Sequence, residues 1–132
     1  MFSDQYRRLC ELDRLVDEYD RKIESLAKSK EVTKRLMAVE GIGPITATAI
    51  VASAGDLHDF KNGRQFAAWL GLVPRQWSSG GKQRHGRITK RGDSYIRTLL
   101  IHGARAVIRF IERRDDEKSR WVKALIERRG VN

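Results

Sequence analysis

LMAVEGIGPITATAIVASAG, residues 36–55, is the stretch on which the fold turns. Gly41-Ile42-Gly43-Pro44 cannot continue a helix, because two glycines loosen the backbone and a proline removes a donor. A short helix over Val32–Val39 must therefore stop there, and a new one starts at Ile45. The run to Ala54 is alanine-rich and apolar on nearly all sides, which predicts a buried helix with Gly55 as its C-terminal stop. Upstream, Phe2, Leu9, Val16 and Ile23 recur every seven residues, and Gln5, Leu12, Tyr19 and Leu26 form a second seam three residues behind them. A helix from Phe2 to Lys28 would be about 40 Å long, too long to lie along a small core. It predicts self-association as a dimer or tetramer. A helix packed on its own domain stays open as the alternative, because Gln5 and Tyr19 break the seam.

Downstream, Asp59 or Asn62 caps a helix that turns Phe66, Trp69 and Leu70 inward and ends at Gly71. Asp93 or Ser94 caps a long helix to about Arg114, with Ile96, Leu99, Leu100, Gly103, Val107, Phe110 and Ile111 on its buried face. A final helix from about Asp116 to Arg129 packs through Trp121, Val122, Leu125 and Ile126, with acids at its N-terminus and arginines at its C-terminal end. Residues 72–95 carry neither helical nor sustained alternating periodicity, which predicts a mobile or ligand-ordered loop with a short hairpin at Leu72–Trp77 and Arg84–Thr89. The expectation is a mainly α chain of five helices and at most one short hairpin. Residues 1–30 form a coiled-coil helix, and residues 31–132 form one compact helical domain with a helix-hairpin-helix-like unit and a basic Gly-rich loop.

The 132 residues hold 27 Lys+Arg against 17 Asp+Glu, a formal charge of +10, with 40% hydrophobic residues. An anionic partner follows, nucleic acid before membrane. No apolar run reaches the ~18 residues of a transmembrane span, and the first residues lack the apolar segment of a signal peptide. A cytoplasmic protein, nucleoid-associated when bound to DNA, is expected. The single cysteine, Cys10, forms no intrachain disulfide, and His58, His85 and His102 lack metal-ligand spacing, so no metal site is expected in the chain. The charge is uneven: residues 60–92 contain eight Lys and Arg and no acid, while residues 1–59 hold nine cations and eleven acids. A solvated face normally mixes signs, so the acid-free stretch predicts a phosphate-facing surface. Its candidate contacts are Arg75, Lys82, Arg84, Arg87, Lys90, Arg91 and, in the following helix, Arg97.

The unit at 36–55 also resembles a helix-hairpin-helix motif, in which the turn presents backbone N–H groups to a phosphate oxygen. Gly41 and Gly43 then permit close approach without reading sequence. The alternative is a Gly-rich turn between packed helices. Within the basic segment, Ser78 and Ser79 precede Gly80-Gly81 in a setting that would neutralise a phosphodiester. A serine hydroxyl is a weak nucleophile without a base or metal, and no Ser-His-Asp arrangement or carboxylate pair stands near it. From the residues alone these are loop hydroxyls more often than nucleophiles.

VEGIGPITATAIVASAGD and FKNGRQFAAWLGLVPRQWSSGGKQRHGRITKRGDSYIRTLLIHGARA together resemble the C-terminal domain of the Piv/MooV-type DEDD transposases, the insertion-sequence family one-ten with its eleven-eleven subgroup. The match, from Leu36 to about Ile108, covers over half the chain. The resemblance implies a bridge-RNA-guided recombinase in which an N-terminal RuvC-like domain holds magnesium on four acids, a coiled coil follows, and the C-terminal domain supplies a serine nucleophile. Ser79, directly before Gly80, matches that serine, with Ser78 as the fallback; Gly86, Arg87, Ile88, Lys90, Gly92 and Arg97 match downstream positions. Tyr95 is a rival nucleophile in the first turn of a helix. No four-acid segment precedes the heptad, so the sequence looks like a fragment, inactive alone, with Mg2+ expected on the RuvC-like half. DNA and guide RNA are the implied partners. A non-enzymatic helix-hairpin-helix DNA-binding or interaction module is the alternative function.

Overall fold

The computed structural model describes residues 2–79 and 82–130. The elements run α1 (Phe2–Ser29), α2 (Glu31–Met37), α3 (Pro44–Ala54), a 3-10 turn (Leu57–Asp59), α4 (Gly63–Trp69), β1 (Pro74–Ser79), β2 (Lys82–Ile88), α5 (Ser94–Ile111) and α6 (Glu117–Arg129). The chain is mainly helical, as its periodicities predict. It has six α-helices among the described residues where the total expected was five; each falls on a segment read as helical from the sequence, and the chain turns extended at Lys30 between α1 and α2. By contacts it divides into two compact units, Met1–Leu57 and His58–Asn132. The first unit runs on past residue 30, the end of the expected coiled-coil segment.

In the first unit, α1, α2 and α3 pack on one another near the C-terminal end of α1. Ala27, Ala47 and Ile50 are buried there, and the buried Thr33 Oγ1 lies 2.5 Å from the Ala27 carbonyl and 2.7 Å from that of Lys30. That hydroxyl serves carbonyls left over where α1 ends. The expectation that α3 is buried all round is corrected. Only Thr46, Ala47 and Ile50 are buried and Ile45 is exposed, because two neighbouring helices cover one side of a third but cannot enclose it. Upstream of Ile23, every described residue of α1 except the half-buried Cys10 is exposed, including Phe2, Leu9, Leu12, Val16 and Tyr19.

In the second unit, Phe60, Phe66 and Trp69 form an aromatic cluster with ring centroids 5.3–5.7 Å apart. Leu70, Ile96 and Ile111 supply its buried aliphatic residues. Asn62 caps α4 by accepting from the Gln65 N–H, and Asp93 caps α5 by accepting from the N–H groups of Tyr95 and Ile96. Asp116 caps α6 through the N–H and hydroxyl of the buried Ser119, at 2.8 and 2.9 Å, and those hydrogen bonds hold its carboxyl below the usual carboxylate range. Two aromatic expectations fail. Phe110 is 51% and Trp121 is 64% exposed, because α5 and α6 form a two-helix layer with an open outer face.

Candidate nucleic-acid interface

The acid-free stretch folds as an antiparallel hairpin, β1 with β2, in the register Gln76↔His85, Trp77↔Arg84, Ser78↔Gln83 and Ser79↔Lys82. The strands are two residues longer at the tip than the expected segments and carry little alternation; of their described side chains, those of residues 74–77, 84, 85 and 87 are exposed, so burial of one face imposes no alternation there. Toward the base the register slips between Pro74 and Gln76, so the partner strand takes one extra residue, a bulge that adds local twist. Gly80 and Gly81 lie outside the described residues. Ser79 and Lys82 form the last pair before them, so the candidate serine stands at the end of a strand.

The hairpin's root is tied to the end of α4. The Thr89 N–H donates to the Val73 carbonyl and the Lys90 N–H to that of Gly71, both at 2.9 Å. Gly71 takes a φ of +72°, and a side chain on it would meet Arg91 N at 2.6 Å. A side chain on Gly92 would stand 2.1 Å from the Trp69 carbonyl oxygen. Backbone therefore lies on backbone here, which only glycine permits. Arg97 fixes the crossing, since one guanidinium nitrogen donates to the carbonyls of Gly92 (2.6 Å) and Leu70 (3.1 Å). Expected from sequence to meet nucleic acid, Arg97 is engaged inside the unit. Lys90 has a φ of +56°, a left-handed conformation a lysine seldom adopts, directly beside the cations of the site.

Arg75, Arg84, Arg87, Lys90 and Arg91 are all exposed, and none forms an ion pair among the described residues. Ion pairs do form on α1, on α2 and at the start of α6. The hairpin and its following turn bring these five cations onto one short segment of structure. Lys82, Ser78 and Ser79 are placed by their strand register. An open groove of about 680 Å³ runs along the hairpin's base and is lined by Arg64, Arg75 and Arg91 together with Trp77 and Thr89. Sequence reasoning missed Arg64 and Trp77. The signal for Trp77 was Gly86, but the two meet only once the register is known.

Gly41 and Gly43 lie in the first unit. Gly41 has a φ of +89°. Gly43 is the N-cap of α3, and a side chain on it would face open space, so packing does not demand glycine there. The groove beside Pro44 and Ile45 is lined by Asp17, Asp20 and Glu24, with Arg21 as the one lining cation, a field that works against a phosphate. Tyr95 is exposed in the first turn of α5. Among the described residues no three His, Cys, Asp or Glu side chains are placed to hold a metal ion. Ser79's neighbours in sequence, residues 60–92, include no acid and do not fit magnesium. No described helix is long and apolar enough to cross a membrane.

Comparison with known proteins gives a consistent picture. The family described as transposase IS116/IS110/IS902 matches residues 33–120. A probable family 20 transposase of Pseudomonas aeruginosa is 55% identical over 92% of this chain and 36% of its own length. The transposase for insertion sequence element IS1111A of Coxiella burnetii is 46% identical over 96% of this chain and 35% of its own. The transposase for insertion sequence element IS1328 of Yersinia enterocolitica is 35% identical over 96% and 37% respectively. The chain thus spans about a third of the length of these curated relatives.

Proposed function

The chain belongs to the transposase IS116/IS110/IS902 family, and from that premise we propose that it is the DNA-binding, nucleophile-bearing part of a transposase that cleaves and exchanges DNA strands. The observation that supports this reading is the hairpin itself: a strand end carrying Ser79 within an acid-free, unpaired set of cations. In the proposed step the Ser79 hydroxyl attacks a DNA phosphate. A bond forms between Oγ and phosphorus, the bond from phosphorus to the 3′ oxygen breaks, and that oxygen takes up a proton as a free 3′-hydroxyl. Arg84, Arg87 and Lys90 hold the phosphate and offset the charge that gathers on it. The group that takes the serine's proton belongs, on this reading, to another domain or subunit, where the magnesium of a RuvC-like half would also sit. A guide RNA is proposed as a further partner.

The exposed stripe on α1 supports a second part of the proposal. Phe2, Leu9, Val16, Leu12, Tyr19 and Leu26 lie open along a helix about 40 Å long, which suits pairing with the same helix of another copy.

The test joins this chain to a RuvC-like half, supplies magnesium and guide RNA, and traps DNA–protein adducts on a denaturing gel. Ser79→Ala should abolish the adduct while DNA binding persists, and Ser78→Ala should leave most of it. The 132-residue chain alone should give none. An adduct lost only with Tyr95→Phe would overturn the serine mechanism.

A further inference from the structure

Trp77 is 57% exposed on a hairpin where its neighbours Arg75, Gln76, Arg84 and His85 are polar or cationic. An exposed tryptophan in such a place needs a reason, since the ring gains little from solvent and contributes no charge. Its position is fixed rather than incidental. Trp77 pairs with Arg84 in the register, and Gly86 lies diagonally across on the neighbouring strand. A side chain on Gly86 would stand 2.3 Å from Cζ3 and 2.6 Å from Cη2 of the indole, so the six-membered ring rests directly over the glycine. An aromatic ring covering a cross-strand glycine is held by the strand beneath it and leaves its remaining surface to solvent. That surface borders the groove whose cations are Arg64, Arg75 and Arg91 and whose lining contains no carboxylate. Thr89 and Gln76 add hydrogen-bonding groups to the same lining.

We propose that this groove holds one unpaired nucleotide of a nucleic-acid strand, its base stacked on Trp77 and its phosphates between Arg64, Arg75 and Arg91. The inference rests on the nucleic-acid reading of the hairpin and gives it a preference that the charges alone do not. Cations grip any phosphate backbone, duplex or single. A fixed indole face offers a partner only to a base whose own face is free, and in a duplex those faces are occupied by neighbouring pairs. The groove's volume is within the range of small-ligand pockets and accommodates a nucleotide unit rather than a helix. Arg64, at the start of α4, reaches the groove from outside the hairpin, so the site draws on two elements and is not a property of the strands alone.

The experiment measures fluorescence anisotropy of labelled (dT)15, (U)15 and a 15-base-pair DNA duplex with the 132-residue chain. It uses the wild type, Trp77→Phe and Trp77→Leu. Leucine still covers Gly86 with an apolar side chain, and circular dichroism confirms that both variants fold. Stacking of this kind predicts that Trp77→Leu weakens single-strand binding roughly five- to hundredfold, that Trp77→Phe stays within about threefold, and that duplex binding changes less than about twofold in either. Arg64→Gln should lower the salt slope for (dT)15 by about 0.7. The tighter of (dT)15 and (U)15 identifies the strand as DNA or RNA. Equal losses on duplex and single strand, or no loss on any probe, overturn the proposal. A wild type that binds none of the three overturns the nucleic-acid reading on which it rests.

Discussion

At the scale of single residues, Gly92 at the hairpin's root and Gly43 before α3 separate a position where packing demands glycine from one where it does not. Gly92→Ala forces a methyl to within 2.1 Å of the Trp69 carbonyl oxygen, which backbone cannot easily yield. Overpacking of this kind should destabilise the chain by about 1–3 kcal/mol or more, read as a lowered midpoint in chemical denaturation. Gly43→Ala is the steric control, since its methyl enters open space at an ordinary φ; only the weaker N-cap preference of alanine acts there, so its midpoint should fall by less than that of Gly92→Ala. A carboxyl supplies a second residue-scale prediction. Asp116 is held below the usual carboxylate range by Ser119, so its cap contributes fully at neutral pH and is lost as pH falls through that lowered range. Asp116→Ala should therefore destabilise at pH 7, and the gap from wild type should close on acidification. Arg97 marks the limit of reading residues from sequence. A basic run marks it as a candidate phosphate contact but does not show that it also donates to the carbonyls of Leu70 and Gly92, one of them 27 residues away.

At the scale of elements, what was legible is what repeats locally. The helical run of α1, the break at Gly41–Pro44 and the choice of Asn62 or Asp59 and of Asp93 or Ser94 as caps all come from neighbours in sequence; the structure selects Asn62 and Asp93, and adds Asp116 as the cap of α6. The hairpin is harder, because strands with successive exposed residues, such as 74–77, show no alternation and their register depends on cross-strand pairs. Phe110 and Trp121 were misplaced for a related reason. Helical periodicity gives the apolar stripe but not whether a neighbour covers it. The α1 stripe carries its own prediction: Leu12→Asp with Val16→Asp, both fully in the open part of the seam, should convert a dimer or tetramer to monomer by light scattering while helix content persists. A wild type already monomeric at high concentration would remove the coiled-coil reading.

At the scale of the whole molecule, the charge is segregated by unit: residues 1–57 hold nine cations and ten acids, and residues 58–132 hold eighteen and seven. Duplex binding should therefore be a property of the second unit. If about five of its cations meet phosphates, log K against log[salt] should fall with a slope of roughly −4 to −5, and Arg87→Ala should reduce the steepness by about one. A slope near zero would assign the basic face to another task. The tie at the hairpin's root has one more implication, for cleavage of the chain. Both strands leave from a single crossing where Lys90 is bonded to Gly71 and Arg97 to Leu70 and Gly92, and they also bond to each other along their length. A protease that nicks the polypeptide between Ser79 and Lys82 would sever it without freeing either end. The two fragments should migrate together on a native gel and part only in denaturant.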